Sequence, residues 1–302
     1  MSEHPSPGEK KSLIERIRQL SAPLDPEPSA YPASYQPLEG IRAVVFDIYG
    51  TLLISASGDI GAGEGSDEDP DFHKALAAAG LQCSDEQLHG TRLLHAAVRS
   101  AQAIRRREGI EYPEVDILRV WEEVIREIAD ILPIGQVSWQ QLRSMALEYE
   151  CLTNPVWPMP GASHTLHRLH ERGLILGIVS NAQFYTPLMF PALLDAEPGQ
   201  FGFDPILCTW SFEALEAKPS TALFQRTIGA LEINHGIPAD EILYVGNDML
   251  KDIWPAQATG CRTALFAGDS RSLRLRGDDE RCRDTVPDIV ITELTQLLSV
   301  CG

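Results

Sequence analysis

Short apolar runs that end in a carboxylate or a small polar pair recur along this chain, at spacings that suit alternating strands and helices. The first is Ala43-Val44-Val45-Phe46, which runs into Asp47 before Gly50 and Thr51 turn the chain. A run of this kind bounded by turn residues predicts a strand buried on both faces of a parallel sheet. From Pro158 the alternation resumes, with strands predicted over Leu174–Val179, Ile206–Thr209, Ile242–Val245, Thr263–Phe266 and Ile289–Ile291. Between them, helical spacing puts Ala162, Leu166 and Leu169 on one stripe that Gly173 ends. Further helices are predicted near Tyr185–Leu194, after Pro219, over Ile253–Ala258 and through Leu294, Leu297 and Leu298. The alternation predicts an α/β fold, a doubly wound, Rossmann-like parallel sheet.

From Phe72 to about Thr153 the period changes. Leu94, Ala97, Ala101 and Ile104 step by three and four, as do Ile117, Trp121, Val124, Ile128 and Ile131, and then Leu142, Met145 and Tyr149. No strand pattern interrupts them, which predicts a helical domain inserted into the α/β chain. Ser55–Asp71, rich in Gly, Ser, Asp and Glu, reads as a flexible connector. Residues 1–37 hold Pro5, Pro7, Pro23, Pro26, Pro28, Pro32 and Pro37 and few large apolar side chains. They read as a disordered tail with one short helix over Ser12–Leu20. The resulting division is a tail (1–37), an α/β core (38–54 and 158–302) and a helical insertion (55–157).

Composition narrows the setting. At 302 residues, 44% hydrophobic and 23% charged, the chain is globular and has ample core. It has no apolar run long enough to span a bilayer. The N-terminus lacks the basic-then-apolar order of a secretory signal, so a cytoplasmic protein is expected. Six scattered cysteines (Cys83, Cys151, Cys208, Cys261, Cys282, Cys301) show no metal-finger spacing and suit a reducing compartment as small buried hydrophobes. A formal net charge of −18 disfavours nucleic acid and anionic membranes as partners. It would also repel an anionic substrate unless a local cation or lysine reverses the field.

The residues just after the predicted strands are the candidates for such a site. Asp47 follows Phe46, Ser180 and Asn181 follow Val179, and Gly246-Asn247-Asp248 follows Val245, with Asp252 four positions on. Polar groups at one edge of a parallel sheet converge on a single crevice. Lys218 adds an ammonium just before Pro219, read here as the first residue of a helix. Carboxylates, a hydroxyl, an amide and a lysine are the inventory for an Asp nucleophile, a hard cation and an anionic group in transfer.

These blocks resemble the four motifs of the haloacid dehalogenase superfamily, in order: Phe46-Asp47-Ile48-Tyr49-Gly50-Thr51-Leu52, Val179-Ser180-Asn181, Lys218-Pro219, and Val245-Gly246-Asn247-Asp248 with Asp252. The helical insertion resembles that superfamily's C1 cap. The resemblance implies a nucleophile at Asp47 and a hydrogen-bonding orienter at Thr51. It implies substrate contacts from Ser180 and Asn181, and charge neutralisation by Lys218. Magnesium would be held by Asp47, the Tyr49 carbonyl and Asp248, with Asp252 supporting the site or joining through water. The expected substrate is a small phosphorylated or otherwise anionic molecule.

One departure matters. The superfamily's phosphatases carry a second Asp two residues after the nucleophile as acid and base, and here that position is Tyr49. Haloacid dehalogenases place a Tyr there, because a halide leaves without a proton. The fourth motif points the other way, since dehalogenases have Ser-Ser-Asn where this chain keeps Asp248. They also use an arginine soon after the first motif, whereas no Arg or Lys lies between Arg42 and Lys74. The resulting reading is a magnesium-dependent, phosphatase-like hydrolase. Its acid is either not required or supplied by the cap, which offers Glu108, Glu111 and Tyr112 beside Arg105-Arg106-Arg107. Two alternatives stand beside it: a 2-haloacid dehalogenase, and a non-catalytic protein that binds a phosphorylated ligand or a partner. His164, His167 and His170 read as a solvent-facing helix side. The arginines between Arg271 and Arg283 read first as a mixed-charge surface loop, with a contact to the cap or a second subunit as the lesser option. The Arg105–Arg107 run reads first as a solvated helix end, with a contact to the far end of the substrate as the lesser option.

Overall fold

A computed structural model describes residues 5–56, 69–81, 88–129 and 135–301. Cys83, Ile131 and most of the predicted Ser55–Asp71 connector lie outside the described residues. Eight strands form two sheets. The large sheet contains β1 (Ala43–Phe46), β4 (Ile175–Ser180), β5 (Phe203–Trp210), β6 (Ile242–Gly246), β7 (Arg262–Phe266) and β8 (Ile289–Ile291), in the order β5-β4-β1-β6-β7-β8 and parallel throughout. This is the predicted α/β architecture. The four apolar residues of β1 are all buried, as a central strand covered on both faces requires. Phe46 pairs with Ile178 on one side and Val245 on the other. From β1 the chain goes on to β4 on one side, and from its other neighbour β6 it goes on to β7 on the opposite side. The C-terminal ends of β1 and β6 therefore flank the topological switch point where such sheets open a crevice.

Helices cover the sheet: α6 (Ala162–Glu171), α7 (Thr186–Leu193), the short α8 (Ser211–Ala214), α9 (Thr221–His235) and α10 (Trp254–Ala258). As predicted, Ala162, Leu166 and Leu169 face the core, while His164, His167 and His170 are exposed. One predicted boundary moves. Pro219 lies two residues before α9, in a cis bond with Lys218, and Ser220 caps the helix through Ala222 N.

The insertion contains α2 (Pro70–Ala78), α3 (Gly90–Arg107), α4 (Ile117–Ala129) and α5 (Trp139–Thr153), with its own apolar cluster around Phe72, Trp121, Val124, Ile128 and Met145. A ribbon that the periodicity did not predict joins it to the core. In this ribbon β2 (Leu53–Ser55) pairs antiparallel with β3 (Val156–Pro158). Ser55, expected in a connector, is buried there and donates to Asn154 Oδ1 at 2.8 Å. Three-residue strands are too short to show a period, which is why the pattern missed them.

The expected disordered tail is corrected. Its helix α1 spans Pro7–Leu20, capped by Ser6, and buries Leu13 and Ile17 in the main core. The prolines misled because they lie at the helix start or in the extended segment after it, where they break nothing. Helix α1 runs between α5 and α7. Glu9 accepts two hydrogen bonds from buried Arg143, at 2.6 and 3.0 Å, and Arg16 makes two to buried Glu148, at 2.6 and 2.5 Å. Arg18 donates to the Ala192 carbonyl of α7. The next segment continues along the core, with Ser34 bridged to Val290 and Leu38 to Cys301. Among the described residues no helix is long and apolar enough to cross a membrane.

Ile17→Ala is expected to lower unfolding stability by about 2–5 kcal/mol, the usual cost of emptying a fully buried aliphatic site. A urea-denaturation midpoint equal to that of the parent would mean that α1 is detached in solution.

Candidate active site

The ends of β1, β4 and β6 bring the predicted polar residues together. Asp47, Ser180, Lys218, Asp248 and Asp252 are all at least 95% buried. Ser180 Oγ donates to Asp47 Oδ1 at 2.8 Å, and Lys218 Nζ reaches the same oxygen at 2.6 Å. The ammonium also contacts Asp252 Oδ1 at 2.5 Å and the Tyr244 hydroxyl at 3.3 Å. Burial works against the charged lysine, but the Asp252 and Asp47 carboxylates outweigh it and raise its pKa. Burial lifts the Asp252 carboxyl while Lys218 pulls it back, and because Lys218 keeps its proton the pair stays ionic at neutral pH.

Asp252 is fully engaged. Its second oxygen accepts the Asn247 and Asp248 N–H groups at 3.0 and 2.9 Å. Gly246 permits this, because a Cβ there would collide with the Asp252 carboxylate. Gly50 has φ +81°, and a Cβ on it would sit 2.6 Å from Ser272 Cβ, so the turn after Asp47 also requires glycine.

Two expected contacts differ. Thr51 Oγ1 donates to Asn247 Oδ1 at 3.2 Å and so ties the first motif to the fourth, whereas the expectation placed it on Asp47. The Asp47 oxygen that is engaged is already taken by Ser180 and Lys218. Asn181 Oδ1 accepts the Lys218 N–H at 2.8 Å, so in this arrangement its side chain shapes the lysine loop.

Among the described residues no hydrogen bond engages the second Asp47 oxygen or the Tyr49 carbonyl. Asp248 Oδ1 accepts from Leu250 N and Lys251 N, and its Oδ2 accepts from Arg276 at 2.7 Å. The open Asp47 oxygen and the Tyr49 carbonyl are hard oxygen donors of the kind a divalent cation such as magnesium takes. Both Asp248 oxygens are already engaged, so Asp248 could join them only with Arg276 moved aside. No group of three or more His, Cys, Asp or Glu side chains forms a metal cluster among the described residues. A cation here would rely on the backbone carbonyl, water and substrate for its remaining ligands.

A cavity of about 370 Å³ opens over Asp47 and extends under the insertion. Tyr49, Asn181, Lys218 and Asp248 form its floor, and Leu94, Val98, Trp121 and Tyr149 its far wall. The arginine loop contacts the insertion, the lesser of the two readings that its sequence allowed. Arg276 pairs with Asp248, Arg274 lines the cavity, and Arg281 Nη1 donates to the hydroxyl of Tyr112 on the insertion at 2.6 Å. Of the Arg105–Arg107 run, Arg105 pairs with Glu108 and Arg106 reaches the cavity. The sequence reading also passed over Tyr244, whose hydroxyl donates to the Val179 carbonyl at 2.8 Å and sits within 3.1 Å of Asp252 Oδ1. An inward-facing Tyr in a strand gives no periodic signal that separates it from core.

Comparison with known proteins agrees with this geometry. A model of haloacid dehalogenase-like hydrolases matches residues 41–260. A phosphoglycolate phosphatase of Photorhabdus laumondii is 27% identical over 88% of this chain and 94% of its own length. A glyceraldehyde 3-phosphate phosphatase of Pyrococcus furiosus is 29% identical over 53% of this chain and 66% of its own. A solved 2-haloacid dehalogenase from Pseudomonas syringae pv. tomato superposes with a TM-score of 0.52 and 19% identity, covering 85% of this chain and 96% of that one, which is a likeness of fold.

Lys218→Met is expected to destabilise the folded state by about 3–5 kcal/mol, because it leaves the Asp47 and Asp252 carboxylates buried without their shared cation. Thermal and urea unfolding measure it. An unchanged stability would mean that water or another cation compensates the two acids.

Proposed function

The chain belongs to the haloacid dehalogenase-like hydrolase family, and on that basis we propose that it is a magnesium-dependent phosphatase acting on a small phosphorylated molecule through an aspartyl-phosphate. The observation that carries this reading is the division of labour at Asp47. One oxygen is held by Ser180 and Lys218, while the other takes no hydrogen bond among the described residues. A carboxylate oriented through one oxygen can attack through the other.

In this reading Lys218 orients Asp47 and neutralises charge that builds on the transferring group. Asp252 serves by fixing Lys218, and Thr51 by tying Asn247 to the first motif. Ser180 and the Asn181 backbone are near enough to Asp47 to meet phosphoryl oxygens. When bound at Asp47, the Tyr49 carbonyl and Asp248, magnesium supplies charge compensation for the phosphoryl group. The four helices of residues 70–153 act as a cap that limits water access to the cavity. Phosphatase relatives of small phosphorylated compounds support the substrate class.

The dehalogenase reading rests on Tyr49. Its hydroxyl is 2.9 Å from Thr186 Oγ1, and burial, followed by the neighbouring Glu150, raises its pKa well above the usual phenol range. With its hydroxyl engaged by Thr186, Tyr49 does not stand in for the second Asp of the family's phosphatases. Asp248 together with the absence of any Lys or Arg from 43 to 73 favours phosphoryl transfer.

Phosphate release from p-nitrophenyl phosphate is expected with magnesium, and is expected to fall by about 10³-fold or more with EDTA and in Asp47→Asn. Halide release from 2-chloropropionate, with no phosphate release in any condition, would replace this reading with the dehalogenase one.

A further inference from the structure

With Tyr49 committed to Thr186, the proton that an ester oxygen needs on leaving must come from another group on the cavity wall. Each of the acids and phenols named from the sequence is placed poorly for this. Glu108 pairs with Arg105, Glu111 is exposed, and the Tyr112 hydroxyl accepts from Arg281. Glu150 is 6% exposed and holds the hinge. Its oxygens accept from Tyr185 Oη at 2.8 Å and Asn154 Nδ2 at 2.9 Å, and Asn154 in turn takes Ser55.

Glu114 is placed differently. Glu111, Tyr112 and Glu150 line the same cavity as Asp47, Asn181 and Lys218, and so does Glu114; what distinguishes Glu114 is how its segment is held. The segment that carries it is stitched to both sides of the nucleophile. Ala217 N donates to the Tyr112 carbonyl at 2.7 Å and Glu114 N to the Leu215 carbonyl at 3.3 Å, so residues 112–114 run beside the chain that delivers Lys218. On the other side, Gln183 Nε2 donates to the Val115 carbonyl at 2.9 Å, and Ile117 N donates to Gln183 Oε1 at 3.1 Å. Gln183 lies two residues beyond Asn181. This one stretch of the cap is thus registered against the second and third motifs together.

The carboxyl itself is mounted on a hydroxyl that can serve either protonation state. Ser211 Oγ is 2.8 Å from Glu114 Oε2 and 3.2 Å from the Ala182 carbonyl, and it accepts the Ala182 N–H at 2.9 Å. Its single hydrogen can point to Glu114 when the acid is ionised and to Ala182 when the acid holds its proton. We propose that Glu114 is the proton donor to the leaving oxygen, taking the role that the residue two positions after the nucleophile lacks here. Burial raises its pKa, against the opposing pull of the Val115 N–H, the Ser211 hydroxyl and Lys251, which is the direction a proton donor needs.

The step balances as written. An Asp47 oxygen forms a bond to phosphorus as the ester P–O bond breaks, and the Glu114 proton passes to the departing oxygen, which leaves as an alcohol. Water then attacks phosphorus, Glu114 carboxylate takes its proton, and the Asp47–phosphorus bond breaks to release inorganic phosphate.

The inference rests on the phosphatase reading, and the test separates the two. It compares kcat/KM for p-nitrophenyl phosphate with that for phenyl phosphate, a poorer leaving group of similar shape, in the parent, Glu114→Gln and Glu150→Gln. Glu114→Gln is expected to lose about 10²-fold more on phenyl phosphate than on p-nitrophenyl phosphate. Glu150→Gln is expected to leave that ratio within about threefold of the parent, because removing a hinge contact does not discriminate between leaving groups. The ratio does not depend on the fraction of enzyme that is folded. If Glu114→Gln is insoluble, Glu114→Asp, which withdraws the carboxyl by one methylene, is read the same way. An unchanged ratio at position 114, or a shift found at position 150 instead, overturns the proposal while leaving the phosphatase reading intact. Absence of metal-dependent phosphate release from either ester by the parent overturns the phosphatase reading, and the proton donor with it.

Discussion

A buried lysine shared by two carboxylates organises this protein. Withdrawing an ammonium and two carboxylates from water costs many kcal/mol unless each charge meets partners in good geometry. Lys218 meets Asp47 at 2.6 Å and Asp252 at 2.5 Å. Those partners impose further requirements. Asp252 needs the backbone N–H groups of Asn247 and Asp248, so β6 must end where it does, and Gly246 must lack a side chain. Asp47 needs Ser180, so β4 must lie beside β1 in the observed register. Tyr244, rising from β6 beneath the pair, links Asp252 to the Val179 carbonyl and closes the set.

A second layer of constraint aligns the helical insertion with that centre. The insertion is covalently tied only through the β2–β3 ribbon, yet three other contacts position it. The Tyr112–Ile117 segment lies along the approach to Lys218 and over Gln183. Arg281 reaches up from the core to Tyr112, with its guanidinium also over the Trp254 ring. Helix α1 lies between α5 and α7 and binds α5 through two Arg–carboxylate pairs, each with a buried partner on α5. Chain segments from residue 9 to residue 281 thus converge on one interdomain relationship. Positioning of this kind is what a cavity needs if it is to hold substrate groups near a nucleophile and away from bulk water.

The negative charge of the chain, −18 in all, would by itself oppose a phosphorylated substrate. Among the described residues four cations, Lys218, Lys251, Arg106 and Arg274, border the cavity beside six acids, Asp47, Glu111, Glu114, Glu150, Asp248 and Asp252. An anionic group would therefore have to be met by individual cations close to it and not by the summed charge of the cavity. Low dielectric around the buried groups makes such nearby charges count for more than distant surface carboxylates.

Much of the architecture was legible in the chain because buried parallel strands announce themselves as apolar runs, and the chemistry sits at the residue where each run stops. Asp47, Ser180, Asp248 and the α6 stripe could be read this way, as could the exposed histidines of α6. Strands of three residues carry no period, so β2 and β3 could not be seen. Proline content suggested disorder for residues 1–37, whereas Leu13 and Ile17, spaced by four, were the better signal: two large apolar side chains on one turn are enough to dock a helix when a matching groove exists. The sequence alone settled which residues could be acids, bases and cations, and which strand ends would carry them, because those follow from local pattern. Only the tertiary structure decided that Thr51 reaches Asn247, that Arg276 and Arg281 leave the surface for Asp248 and Tyr112, and that Glu114 enters the cavity. Those pairings join segments that lie far apart along the chain, and local preference along a chain carries no information about which distant partner a side chain will meet.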